Sequence, residues 1–352
     1  MNDPDHLVPG LGEAPRVTLG HTPTPIDPAP RLGAELGIDL HVKRDDCTGL
    51  ALGGNKVRQL EYYLGEAVAR AADVVLITGA VQSNFVRLTA AAARHLGLDV
   101  HIQLEERVDT PDPAYRASGN VLLDRLLGAH IHSFPVGEDE AAADRALEDL
   151  AAGLAAEGRR PYVIHLGVDH PPIGALGYVR AAAELAIQTP DRARGFDAVI
   201  VASGSGATHA GLLVGLRAVG AAMPVYGICV RRAADLQQTR ITRRAREVVA
   251  LIGQPDLIDE ADVRVTDRVF VPGYGKLNPA TLRAIDLAAR LEGLLLDPVY
   301  TGKTMAGLID LVETGEIPAG ARVLFIHTGG QPALFGYQSA LEELLTGGDG
   351  PR

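Results

Sequence analysis

Hydrophobic residues in this chain come in short blocks, and their spacing alternates between two periods along most of its length. Strand-like runs lie at residues 40–43, 74–78, 100–104, 131–134, 162–166, 198–202, 225–230 and 323–327. Between most of them the apolar positions take helical spacing, over 83–96, 120–127, 139–157, 175–187, 208–219, 236–252, 279–291, 303–313 and 332–345. A further helix is expected from Lys56, since Val57, Leu60, Leu64, Val68 and Ala71 follow close to helical spacing. Strand and helix taking turns predict βαβ units, and hence an α/β fold of mainly parallel sheets covered by helices. Ligands of such folds bind at the carboxyl ends of the strands. Residues 1 to about 30 break the pattern: Pro4, Pro9, Pro15, Pro23, Pro25, Pro28 and Pro30 predict an extended arm that wraps a domain.

Length and composition narrow this picture. At 352 residues the chain can build two lobes, or one large α/β domain, around a substantial core. Its formal net charge of -11 argues against nucleic acid or an anionic membrane as the main partner, while leaving room for a local basic pocket. The two cysteines, Cys47 and Cys229, give no disulfide framework, and a reduced, cytoplasmic setting is expected. Neither a signal peptide at the start nor a run long enough to span a membrane is expected, because the apolar runs are broken by Gly, Pro or charge.

Several stretches carry chemistry. Gly53-Gly54-Asn55-Lys56 turns tightly into the expected helix, which puts Lys56 in its first turn. Lysine is more usual in a last turn, because the positive end of the helix dipole disfavours an ammonium ion. That same field eases deprotonation and suits the amine to attack a carbonyl, whereas an ordinary lysine is a solvated surface charge. Farther on, a strand runs into Ser203-Gly204-Ser205-Gly206-Ala207-Thr208, where backbone N–H groups and hydroxyls can converge on a phosphate. A dinucleotide is not expected, because His209 stands where its fingerprint needs a third glycine. The ATP-binding pattern fails as well: Val57 follows Lys56, and Asp297 stands where Gly302-Lys303-Thr304 would need its first glycine. Ser83 and Asn84 open another helix, a position where plain N-capping is the common use of both. Tyr274, set between glycines, and Tyr300, following a Pro-led turn, are placed to line a cleft or simply to pack. The eleven histidines show no zinc spacing, and no metal site is expected.

Taken together these stretches resemble the D-cysteine desulfhydrase and 1-aminocyclopropane-1-carboxylate deaminase family of pyridoxal-phosphate enzymes, from about Thr22 to Leu345. The resemblance implies the tryptophan-synthase-β-like fold (fold type II), with a smaller lobe of residues 54–172 inserted into a larger one of 1–53 plus 173–352. It implies Lys56 as the Schiff-base lysine, and Ser203, Gly204, Ser205, Gly206, Ala207 and Thr208 as the phosphate cradle. Asn84 would bond the cofactor's phenolic oxygen, and Ser83 would face the substrate carboxylate or Cα. Tyr274 and Tyr300 would reach the reacting amino acid, with Tyr300 also beside the pyridine ring, and Thr301 and Thr328 are joint candidates for the ring nitrogen. Thr301 sides with the desulfhydrases, because the cyclopropane-opening deaminases carry Glu there and so favour a protonated ring.

Two departures fall at the expected substrate side. Phe85 replaces the family's usual His or Gln, and Gly167-Val168-Asp169-His170 replaces a Gly-Gly-Ser or Gly-Ala-Ser segment. The implied activity is elimination of a β-substituent and ammonia from a small amino acid, foremost D-cysteine to pyruvate, sulfide and ammonia. Open beside it are an L-cysteate sulfo-lyase, a cyclopropane deaminase, a specialised biosynthetic enzyme of the same family, and a catalytically silent cofactor- or amino-acid-binding protein. A homodimer is implied as well.

Overall fold

A computed structural model of the protein describes residues 3–189 and 195–346. Every apolar run read above as a strand is one. The strands are β1 (Ile26–Pro28), β2 (Asp39–Lys43), β3 (Val74–Ala80), β4 (Asp99–Glu105), β5 (His130–Phe134), β6 (Pro161–Ile164), β7 (Ala198–Ser203), β8 (Val225–Cys229), β9 (Arg264–Thr266) and β10 (Arg322–Ile326). They form a six-stranded sheet in the order β1-β2-β10-β7-β8-β9 and a four-stranded sheet in the order β5-β4-β3-β6. β1 runs antiparallel to β2, and the other pairs are parallel. Parallel neighbours need long crossovers, and here helices make them, so inner strands are covered on both faces. All seven residues of β3 are buried, which is why its sequence runs apolar without alternating.

The pattern misses what is short. β1 and β9 have three residues each and sit at the edges of the six-stranded sheet, too brief for any period to show. The proline-rich arm holds 3-10 turns at Pro4–His6 and Leu11–Glu13. It ends at a helix, Pro30–Leu36, opened by its proline and closed by Gly37 at φ 70°. The single helix expected over 332–345 is two, Ala333–Gly336 and Gln338–Thr346, separated at Tyr337.

A buried ionic cluster joins segments that are distant in the chain. Arg58, in the helix Lys56–Ala69, bonds Asp45 (Nη2 to Oδ1 2.9 Å) just after β2 and Glu184 (Nη1 to Oε2 2.9 Å) in the helix Leu176–Gln188. Lys43 also pairs with Glu184, while Thr24 and Tyr178 donate their hydroxyls to Asp45. All four charged members are buried, so each relies on the others for its stabilisation.

Candidate active site

A cleft of about 790 Å³, mouth included, opens just beyond the carboxyl ends of β3, β4, β7, β8 and β10. That is small-ligand size, at the location the fold class dictates.

Lys56 begins the helix Lys56–Ala69 and reaches this cleft. The turn before it exists because backbone meets backbone there: the Asn55 N–H donates to the Thr328 carbonyl at 3.0 Å. Gly329, at φ +83°, lies so close that an added Cβ would stand 2.7 Å from the Cα of Gly54, which excludes any other residue. The amine of Lys56 lies 4.8 Å from the centroid of the Phe85 ring and 3.4 Å from Gln59 Oε1. It pairs with no carboxylate among the described residues, and burial alone lowers its pKa to about 8. Lys56 is partly buried and also occupies the helix N-terminus, whose field acts in the same direction as burial.

Across the cleft, β7 passes through Gly204, Ser205 and Gly206 into the helix Ala207–Ala218. The Gly204 carbonyl accepts from Arg232 Nη1 (3.1 Å) and Gln237 Nε2 (3.0 Å), and the Ser205 carbonyl accepts from Arg240 Nε (2.8 Å). With these carbonyls tied outward and the first N–H groups of the helix lacking intrahelical partners, the turn presents donors to the cleft. Thr208 Oγ1 accepts from both Asn55 Nδ2 (2.8 Å) and Gln59 Nε2 (2.7 Å), so its own proton is left to donate. Ser203 stands apart: its buried hydroxyl accepts from Gln237 and contacts His209 Nδ1 at 3.1 Å, behind the cleft wall. Ala207 turns its side chain into the core and can offer only its backbone.

Ser83 caps the helix Asn84–His95, accepting from the Val86 N–H at 3.3 Å, and it also lines the cleft. Capping and site placement thus coincide. Asn84 Oδ1 accepts from Asn120 Nδ2 at 3.0 Å, which leaves the Asn84 amide NH2 as the group free to donate. Asn120 is in turn fixed by both ends of Gln82. Tyr274 and Tyr300 share a hydrogen bond of 2.8 Å between hydroxyls, and burial pushes both phenols up.

Thr328 lines the cleft, whereas Thr301 does not. The Thr301 hydroxyl donates to Asp297 Oδ1 (2.8 Å) and accepts from the Asp297 N–H (2.7 Å), which consumes it within the Tyr300 loop. Gly167, Val168, Asp169 and His170 are also off the cleft wall, where Leu166 stands instead. Arg244 bonds the carbonyls of Gly167 and His170, Arg243 pairs with Asp169, and Arg240 bonds the Leu166 carbonyl at 3.0 Å, so the helix Ala234–Leu251 holds this segment.

Two cleft residues escape a reading of motifs: Arg107, two positions past the end of β4, and Arg231, two past the end of β8. Their position beyond strand ends is the signal that could have found them. Histidines without zinc spacing also come together in space, since strand register sets His101 opposite His130. Asp99, His101 and His130 form one group with ligand atoms within 4.8 Å of one another, and Asp144, His165 and His170 form another.

Comparison with known proteins bears on this geometry. The family described as "Pyridoxal-phosphate dependent enzyme" matches residues 17–329. D-cysteine desulfhydrases of Salmonella schwarzengrund (strain CVM19633) and Salmonella typhi are each 43% identical over 327 residues, 93% of this chain and 97% of the relative. The crystal structure of an ACC deaminase homologue superposes with a TM-score of 0.86 at 38% identity, covering 98% of this chain and 99% of that one. O-ureido-L-serine synthase shares the fold at a TM-score of 0.65 and 18% identity, covering 94% of this chain and 95% of its own.

Proposed function

Because the chain belongs to the pyridoxal-phosphate-dependent enzyme family, we propose that it is the lyase of D-cysteine, yielding pyruvate, sulfide and ammonia with uptake of one water. The observation that carries this reading is Lys56, an amine without an acidic partner, held near 8 by burial, facing an anion-binding turn across one cleft. The family's cofactor is pyridoxal phosphate, and the residues present fit it. Thr208 has a proton to spare, the carbonyls of Gly204 and Ser205 point away, and Asn84 offers an NH2. Lys56, Asn84, the Gly204–Thr208 turn and Thr328 would hold the group, with Thr328 rather than Thr301 nearest the ring nitrogen. When bound, pyridoxal phosphate supplies the electron sink for the pair left at Cα after its proton departs.

The chain's own residues do the rest. Lys56, uncharged in rising proportion above pH 8, is the base for the Cα proton, and Ser83 on the same wall is the second candidate. Ser83 and the N-terminus of the helix Asn84–His95 receive the α-carboxylate. Tyr274 and Tyr300 have two phenolic protons and one bond between them, so one proton is available to the departing sulfur. Raised phenol pKa values keep that proton in place at neutral pH. The Phe85 ring lies 4.8 Å from the amine and shields that side of it from water. No carboxylate lines the cleft among the described residues, which weighs against a cyclopropane-opening deaminase.

The same reading includes the lobes 1–53 plus 173–352 and 54–172, supported by β3 to β6 sharing one sheet and the other strands another. It includes a cytoplasmic homodimer, which rests on the low cysteine content and the family resemblance. Among the described residues no helix is long and apolar enough to cross a membrane.

The test is the visible spectrum of purified protein with cofactor added, followed through D-cysteine, L-cysteine, cysteate and aminocyclopropane carboxylate. The expected result is a band lost in Lys56→Ala, with pyruvate and sulfide formed from D-cysteine and not from L-cysteine. Absence of any band in the wild type, or a band that survives Lys56→Ala, would overturn the assignment.

A further inference from the structure

Gly302-Lys303-Thr304 fails as a nucleotide motif, yet its lysine is fully buried, in the first turn of the helix Thr301–Glu313. A buried amine is costly unless its hydrogens are received. No carboxylate pairs with Lys303 among the described residues, and burial lowers its pKa to about 8. Its partners are two backbone carbonyls, those of Phe270 at 3.2 Å and Gly273 at 2.5 Å, with the centroid of the Phe270 ring 5.5 Å away. Methionine would fill a similar space without a buried charge, so what the lysine adds at this position is a donor.

Both carbonyls belong to the loop that carries Tyr274. Between β9 and the helix Pro279–Glu292 this loop has no regular element, so side chains set its shape. Asn278 Nδ2 donates to the carbonyls of Val269 (2.9 Å) and Val271 (2.6 Å), and the Tyr337 hydroxyl donates to the Gly275 carbonyl at 2.8 Å. Tyr274 is therefore flanked by two held carbonyls, Gly273 by Lys303 and Gly275 by Tyr337. Lys303 stands three residues after Tyr300, on the helix that Tyr300 opens. One side chain thus links the element of one tyrosine to the loop of the other, behind the 2.8 Å bond between their hydroxyls.

We infer that Lys303 is a positioning residue, which holds the Tyr274 loop against the Tyr300 helix so that the phenolic proton of the pair is aimed at the departing group. The inference rests on the lyase reading and adds a residue to it. A thiolate sulfur cannot leave as bare sulfide: as the C–S bond breaks, its electron pair stays on sulfur, the phenolic proton joins it, and hydrosulfide departs. The phenolate then regains a proton from solvent. Chloride leaves with the C–Cl electron pair and needs no proton.

That contrast separates positioning from general damage. Steady-state kinetics of holoenzyme on D-cysteine and β-chloro-D-alanine, read as pyruvate, compare wild type with Lys303→Met. For D-cysteine kcat should fall at least about tenfold with KM changed less than about threefold, and for β-chloro-D-alanine kcat should fall less than about threefold. In a Tyr274→Phe background Lys303→Met should cost D-cysteine turnover less than about threefold more, because the group it positions is gone. Lys303→Gln keeps an NH2 donor on a shorter side chain and carries the comparison should the methionine variant not fold; its ratio of D-cysteine to β-chloro-D-alanine turnover should fall at least about threefold. Equal losses on the two substrates would make Lys303 merely structural, and no loss would mean that the loop holds without it; either overturns the inference. A wild type that releases pyruvate from D-cysteine, with a substrate ratio unchanged in the variants, sinks this role and leaves the lyase reading standing. A wild type that releases pyruvate from neither substrate sinks the lyase reading and this role with it.

Discussion

Nothing acidic stands beside Lys56 to hold its proton, and that sets a pH dependence. Its amine titrates near 8 instead of 10.5, so the reactive uncharged fraction grows about tenfold per pH unit below 8 and levels above it. The rate at which cofactor-free protein develops its visible band on mixing with pyridoxal phosphate should follow that curve. A rate still climbing steeply between pH 9 and 10 would mean Lys56 is solvated. In stability the sign runs the same way: between pH 8 and 10.5 the unfolded chain holds more protons, so this residue's contribution rises with pH across that window. Lys56 is legible in sequence because the glycine pair before it has few other uses. Ser203 and Thr301 read as site residues because their neighbours are, yet His209 and Gln237 occupy the first hydroxyl and Asp297 the second. Arg107 and Arg231 are invisible for the opposite reason, since no motif marks them and only the strand ends aim them at the cleft.

Between elements, the helix Ala234–Leu251 acts as a bracket: through Arg240 and Arg244 it grips the Ser205 carbonyl on one side and the 166–170 segment on the other. Its partner is Glu140, at the start of the helix Glu140–Ala156, whose carboxyl three guanidiniums hold at about 2 against an ordinary 4.5, although burial opposes them. A carboxylate so depressed contributes stability that is present above pH 4.5 and lost as pH falls toward 2. Glu140→Gln should therefore lower the unfolding free energy by about 1–2 kcal/mol at pH 7, less than the full linkage value because the side chain is partly exposed. Thermal midpoints of variant and wild type should draw together as pH falls from 4.5 to below 2; a gap that stays constant with pH would assign the loss to packing. Element existence reads well from the apolar pattern because inner strands and helices are long enough to show a period. This bracket does not read at all, because arginines spaced along a helix look like a solvated face until the opposing carbonyls are known.

Across the whole molecule, the Arg58 cluster ties the arm, the end of β2 and two helices into one unit, and its removal should be felt globally. Arg58→Met strands Asp45 and Glu184 as buried unpaired charges, a change expected to cost about 3–5 kcal/mol. The urea midpoint measures it, and a loss under about 1 kcal/mol would mean that water or Lys43 already satisfies the carboxylates. Sheet order carries a different consequence. The four-stranded sheet is contiguous in sequence and is complete once residue 164 has been made. The other sheet has β10 between β2 and β7, so no neighbour pairing can close it before residue 326 appears. On the ribosome, β2 therefore waits on the order of 10 s after the smaller sheet is finished. For that interval the wall that carries Lys56 has no Gly329 against it, and the Lys56 amine reaches its final place only when nearly all of the given sequence has been synthesised.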